Sequence, residues 1–215
     1  MEQPIVSVCV PTYNGAQYLP ECLESILQQT FVQFEVIISD DCSSDQTVAV
    51  ARKYAALDPR IRIITGNRNL GNAGVPNYNR CLDAATGQWI KYVFQDDWIE
   101  PTCIERLLAA TDGRALIGFC KRRFAYASEV SSDTRDQYEQ AETLDQVFPG
   151  QTVVSASAAR KAFSKGVERN FFGEPTASIV HRSVFDRFGR FNIDVVSVAD
   201  LEFWIRTTSN LGFVF

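Results

Sequence analysis

An α/β fold built on a mostly parallel sheet is predicted by three features of the chain. Short apolar, β-type runs alternate with stretches of helical periodicity through the first half. That alternation makes βαβ units, whose crossover helices cover both faces of a parallel sheet. The runs also stop abruptly in polar clusters, most sharply where Trp89-Ile90-Lys91-Tyr92-Val93-Phe94 gives way to Gln95-Asp96-Asp97-Trp98. Two adjacent carboxylates at the end of a buried strand need a cation or a cap.

Residues 5–10 form the first strand. Tyr18, Leu19, Cys22, Leu23, Ile26 and Leu27 then recur at helical spacing, and residues 34–39 form the second strand. A helix over 45–57, a strand over 61–65, a helix over 72–85 and the strand ending at Phe94 continue the pattern. Past Thr111 the rhythm loosens. Residues 115–120 make a further strand, whereas 128–140, polar and rich in charge, read as a loop. Residues 151–165 have helical potential, and 178–180 a short strand ahead of a helical turn led by Ser183. A last helix starts at Asp200 with Leu201, Trp204 and Ile205 turned inward. Residues 211–215 look like a strand beginning, so the chain is expected to be part of a longer protein.

With 215 residues, 46% of them hydrophobic, the chain can bury a substantial core. Its formal charge of -5 offers no overall basic surface to nucleic acid or anionic lipid. Lys121-Arg122-Arg123 is a local exception, ordinarily a solvated loop. The opening Met1-Glu2-Gln3-Pro4 lacks a basic leader with an apolar segment, and no run approaches the ~18 apolar residues of a membrane span. Six cysteines, at 9, 22, 42, 81, 103 and 120, lie in or beside apolar segments without zinc-site pairing. They read as small core residues in a reducing, cytoplasmic compartment. The single histidine, His181, weighs against His-based metal sites and Ser-His-Asp hydrolysis.

Ligands of a doubly wound sheet bind where the strands end at their carboxyl side. Three polar clusters fall there: Pro11-Thr12-Tyr13-Asn14-Gly15, Ser39-Asp40-Asp41-Cys42-Ser43-Ser44-Asp45 and Gln95-Asp96-Asp97. Asn14-Gly15 is a turn signal, and Ser43, Ser44 or Asp45 can cap the next helix. Asp40 and Asp41 exceed what a helix start requires. A dinucleotide cofactor would call for Gly-x-Gly-x-x-Gly after the first strand, which is missing. Nucleotidyl transfer would call for a glycine-rich basic loop there, and residues 11–15 hold no lysine or arginine.

Taken in order, residues 6–15, Gln28-Gln29-Thr30-Phe31, 35–45 and Gln95-Asp96-Asp97 resemble family 2 glycosyltransferases of the GT-A fold. Ala84-Ala85-Thr86-Gly87, residues 178–183, Phe188-Gly189-Arg190-Phe191 and residues 199–206 extend the resemblance over nearly the whole chain. It implies one domain, 1–215, with a nucleotide-sugar half (1–110) and an acceptor-side half (111–215). Asp41 resembles the carboxylate that accepts N3–H of uracil, which favours a UDP- or dTDP-sugar, since cytosine presents an acceptor at that position. Tyr13 would meet the base, with Pro11 and Thr12 lining its pocket.

Asp97 resembles the carboxylate that holds Mn2+ or Mg2+ against the diphosphate, and Asp96 a neighbour touching ribose or sugar hydroxyls; hard oxygen donors suit both ions. Asp200 resembles the catalytic base of an inverting single displacement. The helix dipole would lower its pKa and burial would raise it; a plain N-cap is its ordinary alternative. Glu202 ranks second as the base, and Arg206 is expected to pair along its own helix. His181 is expected to pack or hydrogen-bond near its strand end, and Glu174 is a candidate for acceptor hydroxyls or a turn residue.

Two departures limit what carries over. Gln95 takes the first place of the usual Asp-x-Asp, and residues 72–76 lack the arginine often found ahead of the third helix, with Arg80 displaced from it. The Gln-x-x-Arg-Trp motif of processive synthases is absent from these residues. The implied partners are a nucleotide-sugar donor and a glycan, lipid-linked or protein acceptor in surface polysaccharide assembly, with a peripheral place at the inner membrane face. A non-catalytic binding module of the same fold is the alternative.

Overall fold

In the computed structural model, which describes residues 3–126, 130–139, 142–167 and 170–215, the first half repeats strand and helix. Strands β1 (Val6–Thr12), β2 (Phe34–Asp40), β3 (Ile61–Thr65) and β4 (Trp89–Tyr92) alternate with helices α1 (Leu19–Leu27), α2 (Thr47–Leu57) and α3 (Val75–Ala84). A 3-10 turn, Asn72–Gly74, leads into α3. Next come α4 (Cys103–Thr111), β5 (Ile117–Phe119), α5 (Ser132–Glu139), α6 (Leu144–Val147), β6 (Val153–Val154) and α7 (Ala156–Phe163). A second 3-10 turn, Pro175–Ala177, precedes β7 (Ser178–His181), α8 (Arg182–Phe188), α9 (Ala199–Leu211) and β8 (Phe213–Val214).

The strands form one sheet in the order β3-β2-β1-β4-β7-β5-β8-β6. β1 pairs parallel with β2 and β4, and β2 with β3. β7 inserts antiparallel between β4 and β5, so strands from both halves of the sequence share the sheet. The predicted α/β class with a mostly parallel sheet is therefore found, and residues 211–215 do supply a strand.

Every residue of β1 is buried, as expected of a central parallel strand covered on both faces. Alternation divides the core. Val6, Val8 and Val10 pack with Leu19, Leu23, Ile26, Ile104 and Leu107 in one cluster, while Cys9 joins Cys81, Ile90 and Tyr92 in another. Ser7, buried among them, donates to Glu35 Oε1 at 2.7 Å and accepts from Gly87 N at 2.8 Å. A Cβ on Gly87 would stand 2.7 Å from Ser7 N, which explains a glycine at that crossing.

Three expectations need correction. The polar stretch read as a loop contains α5; residues 127–129, 140 and 141 lie outside the described residues. A helix so charged needs no apolar stripe to be read from sequence. Residues 151–165 divide into β6 and α7 because Ser155 caps the helix, accepting from Ala158 N at 3.2 Å. On α9 the buried stripe is Phe203, Trp204, Thr207 and Thr208, with Leu201 and Ile205 only half-buried. The two threonines hide in the core because their hydroxyls donate to the Phe203 and Trp204 carbonyls.

Trp204 is fully buried, with ring centroids 5.0 Å from Phe119 and 5.2 Å from Phe203. Its Nε1 donates to Gly173 O at 3.2 Å, tying α9 to the loop before β7. Trp204→Ala is expected to cost about 3–5 kcal/mol, read as a lower denaturant midpoint at unchanged m-value.

All six cysteines are free. Cys9, Cys22 and Cys81 are buried, but Cys42 is exposed with φ 63°, which corrects its reading as a core residue. No helix among the described residues is long and apolar enough to cross a membrane.

Candidate active site

At the carboxyl ends of β1, β2 and β4 lies a cleft of about 350 Å³. Pro11, Thr12, Tyr13, Asp41 and Asp96 all line it, together with Asn69, Asn77, Tyr78, Phe94 and Gln95. The parallel register explains the convergence: Thr12 stands opposite Asp40, so the residues following β1 and β2 emerge on one rim.

The neighbouring carboxylates of β2 have different work. Asp40 accepts from Thr12 Oγ1 at 3.1 Å, Ser43 Oγ at 2.5 Å and Ser43 N at 2.9 Å, locking the ends of β1 and β2 together. Asp41 is 2% exposed and faces the cleft, where both its oxygens lie 3.1 Å from Leu70 N. None of the predicted cap residues is the N-cap of α2, which is Gln46 without a side-chain cap hydrogen bond; Asp45, one residue earlier, accepts from Thr47 N at 2.9 Å. Ser43 and Ser44 instead hold Asn14, a non-glycine residue at φ 47°.

Arg80 does not point to a diphosphate. Its guanidinium donates to Ser39 Oγ at 2.7 Å, Asn77 Oδ1 at 2.8 Å and the Asp40 carbonyl, and lies 4.0 Å from Asp41. Where the resemblance implies an arginine, the cleft wall presents Ala73 and Gly74, followed within α3 by Tyr78, stacked on Phe94 at 4.9 Å. Burial, with Asp200 and Asp96 nearby, pushes its phenol up to about 12, so it stays a neutral donor.

Gln95, the departure from Asp-x-Asp, clamps the end of β1. Its amide accepts from Tyr13 N at 2.9 Å and donates to Tyr13 O at 3.0 Å. Asp96 is exposed and Asp97 half-buried. Asp97 Oδ2 accepts from Thr176 Oγ1 at 2.5 Å, and Thr176 Oγ1 accepts from Phe94 N at 3.1 Å. Burial raises the Asp97 pKa, the Thr176 hydrogen bond opposes that, and Asp96 and Glu174 raise it further. A carboxylate kept from water beside two others suits a cation. Among the described residues, no group of three or more His, Cys, Asp or Glu could hold a metal ion; Asp96 and Asp97 offer the hard carboxylate oxygens that such ions take.

Asp200 lies in the first turn of α9. Its Oδ1 accepts from Leu201 N and its Oδ2 from Asn170 Nδ2, each at 2.7 Å. Burial raises its pKa and Glu174 adds to this; the Leu201 N–H and Arg122 oppose it. Burial thus outweighs the favourable helix end. Glu202 is spent on Arg206 at 2.6 Å, as expected of an i,i+4 pair. His181 Nδ1 accepts from Ser183 N at the start of α8, and its ring meets Trp89 edge-on. Glu174 is paired with Arg122 at 2.7 Å, and Lys121 and Arg123 are also paired, with Asp145 and Glu100.

Glu174 acts electrostatically on both Asp97 and Asp200, and Tyr78 feels both Asp96 and Asp200, so one region gathers the predicted carboxylates. Thr176, Asn170 and Tyr78 have no place among the residues that the sequence marks, and Arg122 is marked only as part of a basic cluster read as a solvated loop. Thr176 directly follows Glu174-Pro175, the only signal that could have found it; an isolated asparagine gives none.

A model of glycosyl transferase family 2 matches residues 7–188. The chain belongs to this family. It is 31% identical over 208 residues to the uncharacterized protein MT1568 of Mycobacterium tuberculosis, covering 95% of this chain and 62% of that one. S. aureus TarS, solved with UDP-GlcNAc, superposes with TM-score 0.73 at 22% identity over 97% of this chain and 55% of that one. The mannosyltransferase PcManGT of Pyrobaculum calidifontis, solved with GDP-Man and Mn2+, gives TM-score 0.68 at 20% identity over the whole of this chain and 55% of that one. These relatives are longer: the chain spans 62% of the first and 55% of each solved chain.

Proposed function

We propose that this family 2 chain forms the catalytic part of a glycosyltransferase that moves a single sugar from a UDP- or dTDP-sugar to an acceptor hydroxyl, with inversion. The observation that carries the proposal is that Asp41 and Asp96, from the ends of β2 and β4, line one cleft, while Asp97 adjoins Asp96 and Asp200, in the first turn of α9, acts on Tyr78 of the cleft wall. Residues 1–110 supply the nucleotide side and 111–215 the acceptor side. Surface polysaccharide or glycan assembly at the inner face of the membrane is the setting that the family resemblance implies.

Asp41 receives N3–H of the base. A carboxylate has about four lone-pair sites, so the Leu70 contact leaves room for a ligand donor. Pro11, Thr12 and Tyr13 line the base pocket, with Tyr13 half exposed and able to stack. Asp97, with Asp96, would hold Mn2+ or Mg2+ against the diphosphate; the bound ion supplies neutralisation of the charge that gathers on the departing nucleoside diphosphate. Tyr78 donates a neutral hydrogen bond within the same cleft. Asp200 takes the proton from the acceptor oxygen as that oxygen attacks the anomeric carbon.

A GDP-sugar is the second reading, because guanine also presents N–H donors to a carboxylate. Calorimetry with UDP, GDP and CDP, followed by turnover of UDP-sugars with Mn2+, separates the readings. Asp41→Ala is expected to weaken UDP about 10–100-fold, the loss of a hydrogen bond to a charged group, and to leave CDP unchanged. Preferred GDP would install the second reading. Nucleotide binding without turnover of any donor would leave a non-catalytic module.

A further inference from the structure

Asn170 is held so that only one of its amide orientations works. Its Oδ1 accepts from Phe172 N and Gly173 N, both at 3.1 Å, which forces Nδ2 to the other side. There Nδ2 donates to Asp200 Oδ2 at 2.7 Å and to Gly173 O at 3.1 Å. With Leu201 N on the second oxygen, the Asp200 carboxylate is held from two sides and its rotation is set.

The loop carrying Asn170 is itself tied to its surroundings. Arg122 donates to Asn170 O at 3.2 Å and pairs with Glu174; a Cβ on Gly173, at φ 93°, would lie 2.8 Å from the same guanidinium. Trp204 holds the Gly173 carbonyl. Six residues beyond Asn170, Thr176 binds Asp97, and the fully buried Lys91 holds the Thr176 carbonyl. Residues 170–177 therefore touch Asp200 at one end and Asp97 at the other.

We propose that Asn170 is a positioning residue for glycosyl transfer: it fixes the Asp200 carboxylate and, through the 170–177 loop, keeps it in register with Asp97. The inference rests on the transferase reading. Registration matters because a base displaced by about 1 Å loses on the order of 10²-fold in rate. The charged and titratable groups acting on Asp200 are Glu174 and Arg122, with Tyr78 facing it from α3.

Asn170→Asp keeps the acceptor for the Phe172 and Gly173 amides but replaces the donor to Asp200 with a second carboxylate. With the full chain, a UDP-sugar and Mn2+, kcat is expected to fall on the order of 10²-fold while UDP affinity stays within a factor of about two. A like charge disfavours ionised Asp200, so the acid limb of kcat/KM moves up by about one pH unit. An unchanged kcat and limb in an active protein overturns the inference alone; no wild-type turnover with any donor overturns the transferase reading instead. Should Asn170→Asp fail to fold, the exchange N170D/D200N decides. A double variant that folds and melts cooperatively supports the Asn–Asp contact, and one that, like N170D, does not fold overturns it.

Discussion

Asp97→Ala is expected to lower transfer at least about 10³-fold, the scale of several kcal/mol of charge stabilisation lost from the departing diphosphate. Asp96 cannot replace it, being exposed on the cleft rim, whereas Asp97 is half-buried and pinned by Thr176 at 2.5 Å. Its other oxygen has no hydrogen-bond partner among the described residues. The check is a titration of Mn2+ against initial rate for wild type and variant at saturating donor, with UDP affinity measured without metal. Wild type should lose activity on chelation and regain it with Mn2+; the variant should fail to regain it, with metal-free UDP affinity little changed, because Asp97 does not line the base cleft. A variant within a few-fold of wild type at every Mn2+ concentration would remove Asp97 from the metal site.

Much of the cleft in the first half of the chain was legible in the sequence because parallel strands end together on one rim. Apolar runs located β1, β2 and β4, and their carboxyl ends located Pro11, Thr12, Tyr13, Asp41 and Asp96 on one cleft. What the strand pattern could not divide was the Asp40–Asp41 pair. Both are buried, and only the hydroxyls of Thr12, across on β1, and of Ser43, three residues on, make Asp40 a brace and leave Asp41 to face the cleft.

The second half of the chain was less legible. Its core is held by aromatic contacts among Phe119, Phe172, Phe191, Phe203 and Trp204, joined across long sequence separations and visible to no short window. Its polar supports, Asn170, Arg122 and Thr176, act through loops whose geometry follows from the packing beneath them. Gln95 marks the boundary between the two cases. Its identity was seen as a departure, yet its pairing with the Tyr13 backbone, where a Cβ on Gly15 would lie 2.1 Å from its Oε1, needed the fold.

Asp200→Asn is expected to reduce kcat on the order of 10²–10⁴-fold, the range of a lost general base, with UDP affinity unchanged because Asp200 lies outside the base cleft. The substitution keeps size but offers one acceptor to two donors, Leu201 N and Asn170 Nδ2, so one of those hydrogen bonds is lost while the loop's ties to Arg122 and Trp204 remain. Burial and Glu174 hold the folded pKa of Asp200 above its ordinary value. The base works only when ionised, so wild-type kcat/KM should fall, as pH drops, at a pH above the usual carboxylate value of about 3.9, and the variant should lose that limb. The same shift fixes the sign of the stability change. A carboxyl whose folded pKa is raised stabilises the fold below its unfolded pKa, and that contribution is lost as pH rises through the folded pKa. At neutral pH the ionised group is a cost, which offsets the hydrogen bond that Asp200→Asn loses, so the variant should compare less well with wild type in acid than at pH 7. A variant that melts clearly lower at pH 7 while retaining its rate would make Asp200 a helix cap and not a base.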